Sequence, residues 1–232
     1  MLKSGFPRFA TLSDRALIVH LGDQIDTPTF QAVRSMSRQL EATPPAGMIE
    51  FVPAFTTVSI YYDPLCTSGA ELASLITDPV TVTDAAIDSR PRVVEIPVCY
   101  GGEFGADLEF VAKHAKLTPQ EVIEIHAGAD YLVHLIGFAP GFPYLGGMSS
   151  KIAAPRRSSP RLKIPAGSVG IAGDQTGIYP LETPGGWQLI GRTPLALFRP
   201  QQEPPTLLQA GDIVRFRPIT PEQFREIAEQ SA

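Results

Sequence analysis

Arg156, Arg161 and Lys163 are the residues whose type and spacing speak most directly to chemistry. They alternate with Pro155, Pro160 and Pro165, so the cations sit on backbone stiffened by proline. Guanidinium groups held this way bind phosphate or carboxylate through paired hydrogen bonds at small entropic cost. Close by in sequence, Gln175-Thr176-Gly177 and Thr183-Pro184-Gly185-Gly186 offer amide, hydroxyl and bare backbone N–H groups in turns. Asp174 and Glu182 are the carboxylates of the same stretch and its local candidates for acid–base work or Mg²⁺ binding. Each is equally readable as a turn former. His126 reads either as a general base or as a histidine satisfied at a helix terminus. Tyr144, Tyr179 and Trp187 either wall a pocket or pack a barrel. Arg161, Lys163, His126 and Asp174 are therefore the candidates for catalysis.

These groups belong to one unusual segment, residues 137–194, which holds 11 of the 20 glycines and 8 of the 23 prolines. Such a run cannot form one long helix or strand; it predicts short strands joined by turns that each need a special backbone. It carries Lys151, Arg156, Arg157, Arg161, Lys163 and Arg192 against Asp174 and Glu182, although the whole chain has a net charge of −5. A turn-rich, locally basic surface points to an anionic ligand.

Several chemistries find no support. Neither a phosphate-binding G-x-x-x-x-G-K-[ST] loop nor a G-x-G-x-x-G fingerprint occurs, and Gly101-Gly102-Glu103-Phe104-Gly105 fits neither. His20, His114, His126 and His134 are scattered over different elements and make no metal set. Ala166-Gly167-Ser168-Val169-Gly170 is a near miss for a nucleophile elbow, with Ala at the first position and a β-rich run after it. Ser168 reads instead as a turn or strand hydroxyl, or one that touches a ligand. The acidic balance and the lack of a Lys/Arg run argue against nucleic acid. The N-terminal MLKSGFPRF lacks a signal-peptide core, and no 18-residue apolar run is present to span a membrane, so cytoplasm is the expected location. Cys66 and Cys99 form no disulfide framework.

The elements that position these groups fall into two sets. Residues 15–21 predict a strand, Thr27 and Pro28 the N-cap and first residue of a helix with Val33, Met36 and Leu40 following at helical spacing, and 48–52 with 57–62 a hairpin. Ser68 is placed to cap a second helix. Strand, helix, strand, strand, helix is the split βαβ order of a ferredoxin-like domain, expected over 1–88 with its boundary near 84–91. A second domain, 89–232, opens with a strand at 92–98. Asp107 and the capping box Thr118-Pro119-Gln120-Glu121 then start two helices. Strands are expected at 131–138, 168–172, 187–190, 195–199 and 212–217, and Thr220 starts a closing helix. Many short strands with an early helical pair predict a β-barrel or sandwich, and the fold class is α+β.

The motifs GFAPGFPYLGG (137–147), PRLKIPAGSVGIAG (160–173) followed by QTGIYP, and TPGGWQLIGRTP (183–194) are specific. At these residues the chain closely resembles the B-subunit family of bacterial 5-oxoprolinases, the group also called allophanate hydrolase subunit 1. The resemblance runs from the strand at 15–21 to that at 212–217. It implies a ferredoxin-like domain followed by a cyclophilin-like β-barrel, pairing with a C subunit of related fold. It also implies work with an A subunit to open 5-oxoproline to L-glutamate, using ATP and Mg²⁺, by phosphoryl transfer to the lactam oxygen, with the chain inactive alone. Under it, ATP contacts are expected from Arg156, Gly167, Ser168, Gln175 and Thr176, and from Tyr179, Thr183, Gly185 and Gly186. The same group includes an inhibitor of a sporulation histidine kinase. That binding role, a urea-like or other amide substrate, and peptidyl-prolyl isomerisation by fold analogy stay open as alternatives.

Overall fold

The computed structural model describes residues 5–76 and 91–230, which fall in two units divided at Arg90. The expected boundary near 84–91 lies almost wholly outside the described residues.

The first unit contains β1 (Arg8–Ser13), β2 (Ala16–His20), α1 (Thr27–Ala42), β3 (Met48–Pro53), β4 (Thr57–Tyr62) and α2 (Gly69–Leu75). Its antiparallel sheet runs β1-β2-β4-β3. β4 lies between β2 and β3, the strands that α1 connects, which is the split βαβ arrangement. Leu17, Val19, Val58 and Ile60 bury one sheet face in a cluster with Val33, Met36 and Leu40 of α1. The strand β1 goes beyond the elements expected from sequence; it carries no apolar run and is largely exposed, so periodicity gives no sign of it. The cap of α1 is Asp26, not Thr27: its carboxylate accepts from the Thr29 amide. Ser68 caps α2 as expected, and Glu71 completes a capping box with it.

The second unit contains β5 (Val93–Tyr100), α3 (Leu108–Ala115), α4 (Pro119–Ala127), β6 (Asp130–Ile136), β7 (Pro143–Gly146), β8 (Arg161–Ile164) and β9 (Ser168–Ala172). They are followed by β10 (Gln175–Ile178), β11 (Thr183–Gly185), β12 (Gln188–Arg192), β13 (Ile213–Pro218) and α5 (Pro221–Gln230). Seven strands close a barrel in the order β10-β7-β6-β13-β5-β12-β9. β13 runs parallel to β5, which ties the end of the chain to the start of the unit. Ile96, Val98, Val169, Ile171, Ile178 and Ile190 are buried in the barrel core. β8 and β11 stand apart as a two-stranded ribbon. The strand expected at 195–199 does not form; only an isolated bridge joins Phe198 to Thr206. Pro194, Pro200, Pro204 and Pro205 bracket that segment and withhold the N–H groups a ladder needs.

Candidate functional site

A cavity of about 300 Å³ opens where the β11 strand meets the turn after β6 and the segment that leads into β8. One wall is aromatic: Phe138, Phe142, Tyr144, Tyr179 and Trp187. Phe142 sits at its centre and meets the other four edge to face, with centroids 5.1–5.7 Å apart. The opposite wall is Arg156, Pro160, Pro184, Gly185 and Gly186.

Backbone constraints shape this wall. The 137–142 turn is closed by the Gly137 amide donating to the Phe142 carbonyl (3.0 Å) and the Phe142 amide to the Ala139 carbonyl (2.9 Å). Within it Phe138 adopts φ 64°, a left-handed conformation that costs a bulky residue energy, and the residue is 66% exposed beside the cavity it lines. Gly185 is required by close packing: a Cβ there would lie 2.6 Å from the Tyr179 hydroxyl and 2.7 Å from Ile164. At Gly186 a Cβ would meet Pro160 at 3.7 Å, an ordinary van der Waals contact, so a methyl group fits there without strain.

Charge around the cavity is organised by Asp107. Its carboxylate accepts from Arg161 Nη1 and Nη2 (both 2.8 Å), from Arg157 Nη1 (3.1 Å) and from the Leu189 amide (2.7 Å). Burial alone raises its pKa, but the Arg161 and Leu189 hydrogen bonds and the two guanidinium charges outweigh that and hold it below the ordinary range. Asp107 makes no side-chain cap bond at the head of α3, contrary to the sequence reading. Its carboxylate instead ties the 157–161 segment to β12. Arg161 and Arg157 thus share one carboxylate, which fixes both guanidinium groups and offsets one of their two charges, and Lys163 pairs with Glu182 on the surface (3.1 Å). Arg156 is exposed at the cavity and makes no ion pair among the described residues. Burial pushes the Tyr179 hydroxyl up, opposed by the Trp187 backbone amide and the charges of Arg156 and Arg161.

The other expected residues lie elsewhere. His126 is fully buried inside the barrel, where desolvation lowers its pKa to about 3. The Thr176 hydroxyl donates to the Gly170 carbonyl (3.0 Å), so it accepts from His126 Nε2 (2.9 Å), and Nδ1 is left to accept from the Tyr100 hydroxyl (2.8 Å). Both ring nitrogens are thus occupied by protein, and a neutral, walled-in imidazole has no proton to exchange with a ligand. Thr176 shares that buried chain and does not face the cavity. Asp174 sits exposed at the β9–β10 turn beside Gly173, whose φ is 60°. Gln175 begins β10, paired with Ala172. Gly167, at φ 83°, and Ser168 are buried where the chain enters β9, with no helix following, and Thr183 turns its hydroxyl to the Pro184 carbonyl. Of the thirteen expected site residues, the cavity gathers Arg156, Tyr179, Gly185 and Gly186. It adds Phe138 and Phe142, whose sequence context signals only turns, and depends on Asp107, whose context signals a cap.

Over 231 residues the chain is 51% identical to the B subunit of 5-oxoprolinase from Bacillus subtilis, covering 95% of this chain and 96% of that one. The chain belongs to the 5-oxoprolinase B-subunit family. A second member, from Escherichia coli O157:H7, is 55% identical over 133 residues, 57% of this chain and 61% of that protein. Residues 7–208 match the family described as carboxyltransferase domain, subdomain C and D. Among solved structures, a Pyrococcus horikoshii protein, PH0987, aligns at 44% identity and TM-score 0.57, over 94% of this chain and 100% of that one. The Kluyveromyces lactis urea carboxylase aligns at 20% identity and TM-score 0.72 over 96% of this chain and 22% of its own length, a likeness of fold.

For a member of the B-subunit family the fit to ATP and Mg²⁺ matters. Among the described residues no group of three His, Cys, Asp or Glu side chains could hold a metal ion. Asp174 lies at an exposed turn and Glu182 is engaged by Lys163. The cations expected to grip phosphates are mostly paired already. The residues present therefore do not fit a Mg²⁺–triphosphate site. No described helix is long and apolar enough to cross a membrane.

Proposed function

We propose that this chain is the B component of an ATP-dependent 5-oxoprolinase. With homologues of the A and C subunits in the cytoplasm it opens 5-oxoproline to L-glutamate, and ATP and Mg²⁺ are handled by the partner chains. Residues 1–88 and 89–232 serve as its two domains. The observation that carries this reading is the identity of 51% over 95% of the chain with the B subunit of a 5-oxoprolinase. The geometry supports one part of an assembly rather than a complete enzyme. Among the described residues the cavity presents one unpaired cation and aromatic walls, with no nucleophile–base pair, and His126 is sealed in the barrel.

The test is glutamate release from 5-oxoproline and ATP by the purified chain alone, then with A and C homologues from the same genome. Activity in the complete mixture and none from the chain alone supports the proposal. No turnover with any combination overturns it and turns attention to the kinase-inhibitor role.

A further inference from the structure

We propose that the cavity at Phe142 is the binding site for a compact ring-bearing monocarboxylate, 5-oxoproline itself under the reading above, and not for the nucleotide. The inference rests on that reading for the identity of the acid, and on the cavity for its class. Charge is the first argument. The basic segment has the composition to meet a polyanion, yet Arg157 and Arg161 are turned to the one carboxylate of Asp107, Lys163 lies beside Glu182, and none of the three lines the cavity. Arg156 is the cation left at the cavity. One guanidinium matches one carboxylate through two parallel hydrogen bonds. A nucleotide polyphosphate needs several cations or a metal, and the cavity supplies neither.

Size and lining are the second argument. At about 300 Å³ the cavity stands at the lower end of the ligand-pocket range of roughly 300–1,000 Å³. Its aromatic wall offers ring faces and edges to a flat five-membered ring, and Phe138, held out at φ 64°, lies where it meets the ligand's exposed face. Gly185 and Gly186 line the cavity and have no side chain, so they present backbone to the ligand. Binding here orients the acid by its carboxylate and keeps one ring face against apolar surface, while the reacting amide is left for groups from the partner chains.

Trp187, the single tryptophan of the chain, lies in the wall and reports occupancy by its fluorescence. The full-length chain is titrated with 5-oxoproline, with 2-pyrrolidone, which lacks the carboxylate, and with ATP in the presence and absence of Mg²⁺. A saturable response to 5-oxoproline is expected, at least tenfold weaker for 2-pyrrolidone and absent for ATP. Arg156→Gln, at an exposed position, is expected to keep its fold by circular dichroism and weaken 5-oxoproline at least tenfold. In the assembled enzyme the same variant raises KM for 5-oxoproline and leaves KM for ATP unchanged. An ATP response at Trp187, an unaltered 5-oxoproline response in Arg156→Gln, or no response to 5-oxoproline in either the free or the assembled chain overturns the inference. These outcomes are separate from failure of the proposed function: an active assembly indifferent to Arg156→Gln sinks the site alone, and an inactive assembly leaves the titration to decide the site.

Discussion

Arg161 grips Asp107 with two parallel hydrogen bonds, both 2.8 Å, across 54 residues of sequence. The pair joins the head of α3 to the ribbon strand β8, and the same carboxylate holds the Leu189 amide of β12. Asp107 is thus the positioning residue for the loop that carries Arg156 and Pro160 into the cavity.

Asp107→Asn is expected to destabilise the chain by about 2–4 kcal/mol, because two guanidinium groups lose their counter-charge at a largely buried point. Urea titration measures this. The pH dependence separates charge from packing. The folded pKa of Asp107 lies below its ordinary value, so its contribution is complete above that value and is lost as pH falls through the folded pKa. The stability difference between wild type and Asp107→Asn should therefore be constant near neutrality and shrink below about pH 4. A difference that persists unchanged to pH 2 refutes the electrostatic account.

Much of the architecture is legible in the sequence because the signals are local. Thr118-x-x-Glu121 and Thr220-x-x-Gln223 each start the helix they predict, and Ser68 caps the second helix. In β4 the apolar alternation of Val58, Ile60 and Tyr62 matches the buried face. The site is legible only in part, since charge pairing is not local. Arg156, Arg157 and Arg161 look alike in sequence, and which of them is spent is decided by Asp107, some 50 residues away. His126 likewise owes its character to Tyr100 and Thr176, contributed by two different strands.

The buried His126 gives a second prediction, about stability. Its folded pKa, about 3, lies below its ordinary 6.5, so the unfolded chain binds a proton that the folded chain refuses. Its contribution is complete above pH 6.5 and falls as the pH drops, by about 1.4 kcal/mol per pH unit between roughly pH 6 and 4. His126→Gln should flatten that slope. If the variant does not fold, nitrogen chemical shifts of wild type read the same point: the imidazole should remain neutral at pH 5 with its proton on Nε2. A protonated ring at pH 5 sinks the assignment.

Adjacent glycines supply a matched pair. Gly185→Ala drives a methyl into the Tyr179 hydroxyl and Ile164 and is expected to cost about 1–3 kcal/mol by overpacking. It should also shift the emission of Trp187 as the aromatic wall moves. Gly186→Ala meets nothing closer than 3.7 Å, so its stability is expected within about 0.5 kcal/mol of wild type. Thermal denaturation of the two variants side by side decides the matter; equal losses would mean that the close approach at Gly185 is not what holds the wall.

Phe138 separates stability from binding. Its left-handed backbone is strained for any residue with a Cβ, and glycine relieves that strain, worth about 1–2 kcal/mol for a non-glycine residue. The residue is mostly exposed, so little burial is lost, chiefly the edge contact on Phe142. Phe138→Gly is therefore expected to unfold at an equal or higher temperature than wild type. It is also expected to bind 5-oxoproline more weakly, because the ring no longer covers the ligand's open face. Phe138→Ala keeps the strain and loses the ring, so it should share the binding defect and lack the gain in stability. A glycine variant that loses stability and binds normally would show that the turn conformation is held for packing, and that natural proteins' habit of storing strain where ligands bind does not explain this residue.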